Sequence, residues 1–173
     1  PAATVEVEDG YSGMFPEILQ WDERWGYSPY GTSIIAVSGC GPTCVSMLVV
    51  GLTGDKTVTP SVVADYATQN HYVDENNDTT WAFMTSGVEH WGLTCRESNG
   101  NESEIAKELE AGHPVICSMR PGDFTDIGHF IILTSYNNGN VTICDPFSLE
   151  NSKKSWNYSQ ISSQIKAVWV YSK

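Results

Sequence analysis

The sequence predicts an α+β fold, with helices early in the chain and an antiparallel sheet after them. Candidate helices lie before Pro114, and short β-rich runs lie after it. Residues 137–140, Asn-Asn-Gly-Asn, stand between two of these runs and are typical of a hairpin turn. The chain has 173 residues, enough for one domain with a substantial core. We expect a flexible segment at 1–13 and a single domain at 14–173.

The first part of the chain begins with an irregular segment and continues into helices. Residues 14–39 are rich in aromatic and turn residues without a clear period, which predicts a segment that wraps the domain. The predicted helices are roughly 41–51, ended by Gly51; 60–70, opened by Thr59-Pro60-Ser61; about 80–91, ended by Gly92; and 102–111, with Asn101 as cap, Glu104 completing a capping box and Gly112 as stop.

The second part of the chain predicts a sheet. Its apolar runs are short and rich in β-branched and aromatic residues, as strands are. They cover residues 115–119, 130–134, 141–144 and 167–171.

Charge and hydropathy exclude two classes of partner. The chain carries 21 acidic and 9 basic residues and a net charge of −12, which argues against nucleic-acid binding because that needs Lys and Arg against phosphates. No apolar stretch reaches the roughly 18 residues of a membrane span. Residue 1 is proline, and the small, acidic opening is typical of an exported protein, so we expect a trimmed, secreted or cell-surface bacterial protein. The oligomeric state is not indicated.

The cysteines and acidic residues do not predict a metal site or a cofactor. Five cysteines cannot all pair within the chain, so either Cys40 is free beside up to two disulfides or all five are reduced. No Cys/His spacing is typical of zinc. Asp74, Asn76 and Asp78 alternate as at the start of a calcium loop, but threonines occupy its sixth and twelfth positions. We interpret this run as a solvated loop.

Cys40 is the candidate nucleophile. It lies in Ser38-Gly39-Cys40-Gly41-Pro42-Thr43, directly ahead of an apolar stretch. Pro42 favours a helix that begins within a residue or two of Cys40, and the N–H groups of a helix N-terminus favour a thiolate. The flanking glycines would leave the backbone open to a substrate on both sides. Cys44, one helical turn deeper, is predicted to be a core residue.

His129 and Asp145 are the candidate base and its orienting carboxylate. They lie 16 positions apart on strands that flank the predicted hairpin turn. A loop of three or five residues puts their side chains on the same face, whereas a two-residue turn puts them on opposite faces. The pairing therefore predicts an odd-length loop. His71, His90 and His113 have no comparable carboxylate neighbour in a plausible pairing.

The ordered set of motifs resembles the papain-like cysteine peptidases related to the bacteriocin-leader-processing peptidases. It consists of Gln20-Trp21-Asp22-Glu23-Arg24-Trp25-Gly26, Tyr30-Gly31, Gly39-Cys40-Gly41-Pro42-Thr43, Gly112-His113-Pro114-Val115-Ile116, Gly128-His129-Phe130-Ile131-Ile132-Leu133 and Asp145-Pro146. The resemblance implies a papain-like fold in which the cysteine-bearing helix packs on the sheet. It also implies Cys40 as nucleophile, His129 as general base and acid, Asp145 as orienting residue and Gln20 as oxyanion donor.

The resemblance does not extend to the substrate. Leader-processing members are joined to ABC transporters and cut after a double glycine, whereas this chain has no membrane segment and no ATPase domain. Gln20 also lies 20 residues before Cys40, a longer gap than in those members. We expect a stand-alone cysteine peptidase or amidase that forms a thioester with its substrate. The expected substrate is a peptide or protein, and a cell-wall peptide is one candidate.

Two alternatives remain open at this point. One is acyl transfer, or hydrolysis of a cell-wall cross-link, on the same fold. The other is a non-catalytic module that binds a peptide or glycan through Trp21, Trp25, Tyr27 and Tyr30.

Overall fold

The computed structural model describes residues 2–6 and 15–173. Its helices are α1 (Ile35–Ser38), α2 (Cys40–Thr53), α3 (Pro60–Gln69), α4 (Trp81–Thr85), α5 (Glu102–Glu110), α6 (Leu149–Ser152) and α7 (Tyr158–Ser162), with a 3₁₀ helix at Gly87–Trp91. Its strands are β1 (Pro29–Tyr30), β2 (Ser33–Ile34), β3 (Thr94–Ser98), β4 (Val115–Met119), β5 (His129–Asn137), β6 (Asn140–Cys144), β7 (Ser155–Asn157) and β8 (Ile165–Ser172).

The main sheet is antiparallel throughout, with strand order β3-β8-β4-β5-β6-β7. All four predicted strands are present, and β3 and β7 extend the sheet at its edges. Side chains of the central strands alternate between two apolar clusters, as the period of two in a strand requires. One cluster includes residues of α2 and α3, and the other includes residues of α5 and α7. The sheet is therefore covered on both faces.

Helix α2 begins at Cys40, as predicted, but it does not end at Gly51. It continues to Thr53 and stops at Gly54, whose φ of 77° is the left-handed conformation common at helix ends. A Cβ at position 51 would overlap the Phe15 ring. Gly51 therefore allows close packing inside the helix, and a glycine with that role cannot be told from a stop by sequence alone.

Helix α3 begins as predicted: the Thr59 hydroxyl accepts a hydrogen bond from the Val62 amide, and Pro60 is the first helical residue. The predicted helix at 80–91 is instead divided into α4 and the 3₁₀ helix. The division falls at Gly87, where a Cβ would overlap the Phe83 ring. Glycine disfavours a continuous α-helix. Gly87 is nevertheless required at this position because of its close packing against Phe83.

Helix α5 is capped by Asn101, whose side chain accepts from the Ser103 amide. The reciprocal half of the predicted capping box is absent, because the Glu104 carboxylate bonds Arg96 of β3 and the Asn101 amide donates to Asn99. A contact with a neighbouring strand thus replaces the local contact that the sequence predicted.

The beginning of the chain lies against the domain. The Ala2 amide donates to the Arg24 carbonyl (3.0 Å), the Val5 amide donates to the Lys56 carbonyl (2.8 Å), and Val5 is buried in the core. Residues 2–6 are therefore not a free tail in the structure, whereas residues 1 and 7–13 of the predicted flexible segment lie outside the described residues. Among the helices described, none has the length and apolar character needed to cross a membrane.

Candidate active site

Cys40 is the first residue of α2, preceded by Gly39 as N-cap, and it is partly exposed. Both flanking glycines are buried against protein rather than open to solvent. A Cβ on Gly39 would overlap Ile35, and a Cβ on Gly41 would overlap the Thr79 hydroxyl. The expectation that these glycines leave the backbone open on both sides of the thiol is therefore wrong. They let the chain before the helix, and the loop at Thr79, approach the cysteine closely.

Helix α2 is anchored on strand β5 one turn below Cys40. Residues 41–50 of the helix are all buried, and the Cys44 thiol donates to the Phe130 carbonyl over 3.4 Å. Burial raises the pKa of Cys44 well above that of an ordinary thiol. Cys44 is thus a core residue, as predicted, and it holds the start of the helix beside the start of β5.

His129 and Asp145 meet at the open end of the β5–β6 hairpin. His129 Nε2 lies 2.7 Å from Asp145 Oδ1, and the two side chains are only 8% and 1% exposed. Asp145 Oδ1 also accepts from the backbone amides of Phe147 (2.9 Å) and Ser148 (3.3 Å), and Oδ2 accepts from Asn151 Nδ2 (3.2 Å). These donors hold the buried carboxylate in a fixed orientation.

The Cys40 side chain lies within hydrogen-bonding reach of His129. Because Nε2 faces Asp145, Nδ1 is the ring nitrogen left for the thiol. Burial alone would lower the pKa of His129, but hydrogen bonding and electrostatic interaction with Asp145 and Cys40 outweigh it and raise the pKa from 6.5 to about 10. The imidazole is therefore protonated at neutral pH, the state that a thiolate–imidazolium pair requires.

The β5–β6 hairpin brings these residues together with a turn that differs from the predicted one. Asn137 pairs with Asn140, so the turn has two residues, Asn138 and Gly139, both with positive φ (50° and 85°). An uninterrupted ladder from this turn would place the two site residues on opposite faces. The prediction of an odd-length loop is thus wrong, although its premise, that the two residues share a face, holds.

A β-bulge at Thr134 supplies the missing residue. Ser135 pairs with Thr142, but Leu133 pairs with Ile143, so Thr134 is the extra residue on β5. The hydroxyls of Thr134 and Ser135 both hydrogen-bond to Thr142 Oγ1, at 2.7 and 2.6 Å. Beyond the bulge the register changes by one, and His129 and Asp145 lie on the same face.

Gln20 is buried beside this arrangement. Its Nε2 donates to the carbonyl oxygens of Ile35 (3.3 Å) and Ala36 (3.2 Å), at the start of α1, and its Oε1 is buried without a hydrogen-bond partner. The Gln20 backbone amide donates to Pro146, directly after Asp145. The structure thus places Gln20 next to the site. Its side-chain amide is hydrogen-bonded to the backbone of α1, the helix directly before Cys40.

The support behind Asp145 was not predicted. Helix α6 holds Asn151 against the carboxylate, and its Ser152 hydroxyl accepts from the Asp145 amide (2.8 Å). Ser148, a favourable N-cap residue three positions before Asn151, was a local signal for this helix, and its hydroxyl accepts from the Asn151 amide. Trp21 donates to the Phe147 carbonyl (2.7 Å) and joins the segment after Gln20 to the segment after Asp145.

One other histidine does have a carboxylate partner, contrary to expectation. His113 Nδ1 lies 2.7 Å from Glu108 Oε2, because the chain turns back at the end of α5 and the His113 amide donates to the Glu108 carbonyl.

The aromatic surface expected for a non-catalytic binding module is smaller than predicted. Trp25 and Tyr30 are buried in the core, and of the four rings only Trp21 and Tyr27 are exposed. Two exposed rings remain of the four expected.

The five cysteines form no disulfide in the structure. Within residues 2–6 and 15–173, no group of three or more His, Cys, Asp or Glu side chains is arranged to hold a metal ion. The Asp74 carboxylate instead accepts hydrogen bonds from the backbone amides of Asn76 and Asp78, as in a tight loop.

Comparison with known proteins identifies the family and the fold. The model of the Peptidase_C39 like family matches residues 14–173. The peptidase domain of Streptococcus ComA, a bi-functional ABC transporter involved in a quorum-sensing pathway, superposes with a TM-score of 0.57 at 12% identity, covering 79% of this chain and 93% of that one. A protein described as a C39-like peptidase from Bacillus anthracis gives a TM-score of 0.50 at 17% identity, covering 92% of this chain and 94% of that one. No curated protein matches the chain.

The two solved structures confirm the papain-like α+β fold. The family match covers the helix that begins at Cys40 and the hairpin that carries His129 and Asp145. The chain belongs to the Peptidase_C39 like family.

Proposed function

We propose that this protein is a cysteine peptidase that hydrolyses an amide bond through a thioester on Cys40. The observation that supports it is the line of contacts from the partly exposed Cys40 side chain to the buried side chain of His129 and on to Asp145. A nucleophile, a base in hydrogen-bond contact with it and a group that orients the base are the parts that covalent acyl transfer needs. Family membership supports a peptide substrate.

The chemistry follows from the protonation states. The Cys40 thiolate attacks the carbonyl carbon, and the oxygen of that carbonyl takes the negative charge. His129, protonated at neutral pH, gives its proton to the leaving amine, and a thioester remains. His129 then removes a proton from water, which attacks the thioester and releases the acid and the thiolate. Asp145 keeps the ring oriented and stabilises the imidazolium in both half-reactions.

For the oxyanion we propose the Cys40 backbone N–H and the Gln20 amide as donors. Donation by Gln20 requires Nε2 to turn from the carbonyls of Ile35 and Ala36 toward the thiol. Loss of one such donor costs about 10²- to 10³-fold in kcat. We expect Gln20→Ala to lower kcat by this order while the rate of Cys40 alkylation stays close to wild type, because alkylation forms no oxyanion.

The test is covalent trapping on Cys40 with a defined peptide library. The wild type is expected to cleave at least one peptide and to show a transient acyl adduct on Cys40 by intact mass. Cys40→Ala should lose both. Cys95→Ala is the matched control, because Cys95 is also partly exposed but burial raises its pKa to about 11, so it is poorly nucleophilic at neutral pH. Cleavage retained in Cys40→Ala would remove the proposal.

Action without an attached transporter and export from a bacterial cell stay predictions. Fractionation of the native host with an antibody against this domain tests both, through the size of the mature protein and its compartment.

A further inference from the structure

A second carboxyl group is buried behind Asp145 and is not used by the proposed reaction. Both carboxyl oxygens of Glu17 are buried, and neither has a hydrogen-bond partner of normal geometry. The Ser152 hydroxyl and the Cys144 thiol lie within hydrogen-bonding reach of Glu17, and the charge of Asp145 also acts on it. Glu17 therefore lies in a buried region that also contains Asp145, Ser152 and Cys144, which we call the compartment.

Main-chain contacts fix the position of Glu17. The Ile18 amide points at the Met47 sulfur of α2 (3.1 Å), and the Gln20 amide donates to the Pro146 carbonyl (2.7 Å). The segment around Glu17 is thus held between α2 and the chain that follows β6. These contacts fix the backbone that carries the Glu17 side chain.

The two carboxyls differ in their donors. Asp145 accepts from His129, from two backbone amides and from Asn151, whereas the Glu17 oxygens have no such partners. A buried carboxylate without donors is costly, and a second negative charge beside it adds to the cost. Of the two groups, Glu17 is the one whose surroundings favour the protonated form.

Electrostatics of the surroundings agree with this assignment. Burial first, and the charge of Asp145 in addition, raise the pKa of Glu17 from 4.5 to about 8, although the Ser152 and Cys144 contacts oppose the rise. Among residues 2–6 and 15–173, the other titratable groups that face Glu17 are the thiols of Cys144 on β6 and Cys44 on α2. Neither brings a positive charge to the compartment.

We propose that Glu17 is a positioning residue that acts through Asp145: as a neutral acid it leaves Asp145 the single negative charge of the compartment, and its ionisation in alkaline solution disturbs the Asp145–His129 contact. The proposal rests on the proposed function, since it assigns Glu17 to the support of that site. Glu17 touches no reacting atom.

Ser152 provides the route for the disturbance. Its hydroxyl accepts from the Asp145 amide and donates to the Ser148 carbonyl (2.9 Å), so it holds the backbone of Asp145 against α6. An ionised Glu17 attracts the Ser152 hydroxyl proton away from Ser148 and repels the Asp145 carboxylate. The proton that Glu17 loses passes to solvent.

The experiment follows His129 directly, by ¹⁵N NMR of its ring nitrogens from pH 6 to 10, together with the pH profile of peptide cleavage. The wild type is expected to show an inflection near pH 8 in the His129 signals and a several-fold fall in kcat across it. Glu17→Gln should lose the inflection and keep the cleavage rate at pH 7 within about twofold. Glu23→Gln, which removes an exposed carboxyl, is the matched control and should keep it.

Three further readouts decide between outcomes. Glu17→Met removes the acid without adding buried donors and should behave as Glu17→Gln does. Carboxyl ¹³C NMR of the wild type should show one glutamate titrating near pH 8, and ordinary titration of every glutamate overturns the proposal even if both variants fail to fold. An inflection that persists in Glu17→Gln also overturns it. If His129 responds to Glu17 but no peptide is cleaved at any pH, the positioning role stands and the proposed function fails.

Discussion

Two histidine–carboxylate pairs in this chain have the same separation, 2.7 Å, and different surroundings. His129 and Asp145 lie at the open end of the β5–β6 hairpin, with side chains 8% and 1% exposed. His113 and Glu108 lie at the end of α5, with side chains 40% and 18% exposed. Distance alone therefore does not distinguish a site from a surface contact.

The difference lies in burial and in the third partner. The Cys40 side chain lies within hydrogen-bonding reach of His129, whereas Glu108 is shared between His113 and Arg96. Hydrogen bonding by His113 lowers the pKa of Glu108, so the main effect of that pair is to stabilise the ionised carboxylate. At the hairpin, contacts with Asp145 and Cys40 overcome burial and raise the pKa of His129, so that pair holds a proton ready for transfer.

The largest expected effect comes from removing each histidine in turn. General acid–base catalysis contributes about 10²- to 10⁴-fold, and the thiolate also depends on this ring, so His129→Ala should lose at least that much activity. His113→Ala should leave kcat/KM unchanged within error. The measurement is kcat/KM on one cleaved peptide, and equal losses in both variants would remove the distinction between the pairs.

Replacing each carboxylate by its amide should give a smaller difference in activity between the two pairs than removing the histidines does. Asp145→Asn keeps the size of the side chain but turns an amide toward donors that need an acceptor, so we expect a loss of roughly a hundredfold or more in kcat. Leaving buried donors unsatisfied costs about 1–3 kcal/mol, which should appear as a lower free energy of unfolding. Glu108→Gln should change neither quantity by much, since exposed ion pairs contribute about 0–1 kcal/mol. A stable, fully active Asp145→Asn would contradict the orienting role.

The pH dependence of stability should have opposite signs at the two pairs. The folded pKa of His129 is about 10 and its ordinary value is 6.5, so its contribution is complete below pH 6.5 and is lost as the pH rises through 10. The pKa of Glu108 is lowered from 4.5, so its contribution is present above pH 4.5 and is lost in acid.

Urea unfolding from pH 3 to 10 checks these signs. The difference in unfolding free energy between wild type and His129→Ala should shrink in alkali, by at most about 1.4 kcal/mol per pH unit. The difference between wild type and Glu108→Gln should shrink only in acid. A His129→Ala difference that is constant from pH 6.5 to 10 would mean that the histidine is not protonated in the folded protein.

The smallest effect is expected from deleting Thr134. The α5 pair depends on one helix end, but the hairpin pair depends on strand register. Deletion removes the bulge and still leaves Leu133 opposite Ile143, so His129 and Asp145 stay on one face. We expect most of the activity to remain, with some loss of stability because the hydroxyl contact to Thr142 is lost. Inactivity equal to that of His129→Ala would show that the bulge does more than correct the register.

Much of the fold could be predicted because its signals are local. The start of α2 at Cys40, the cap at Thr59 and the four apolar strands are set by nearby residue types. The continuation of α2 past Gly51 could not be predicted, since it depends on the Phe15 ring, which is distant in sequence. Edge strand β3 is mostly exposed, and its short sequence lacks the apolar run that indicated the central strands.

The residues of the candidate site could be predicted, but their geometry could not. Types and spacing indicated Cys40, His129 and Asp145, and the structure brings them together. The bulge at Thr134 was hidden because two adjacent hydroxyl residues in a strand have many uses. Burial of Glu17 was hidden too, because a lone glutamate in an irregular segment is usually solvated.

The most direct test of the account is alkylation of Cys40 by iodoacetamide at pH 6, mapped by peptide mass, in wild type, His129→Ala and His113→Ala. A working thiolate–imidazolium pair predicts fast, selective labelling of Cys40 in the wild type, well above that of an ordinary thiol with a pKa of about 8.5. His113→Ala should label equally fast and His129→Ala much more slowly. Labelling at the rate of an ordinary thiol in all three proteins would contradict the assignment of this site.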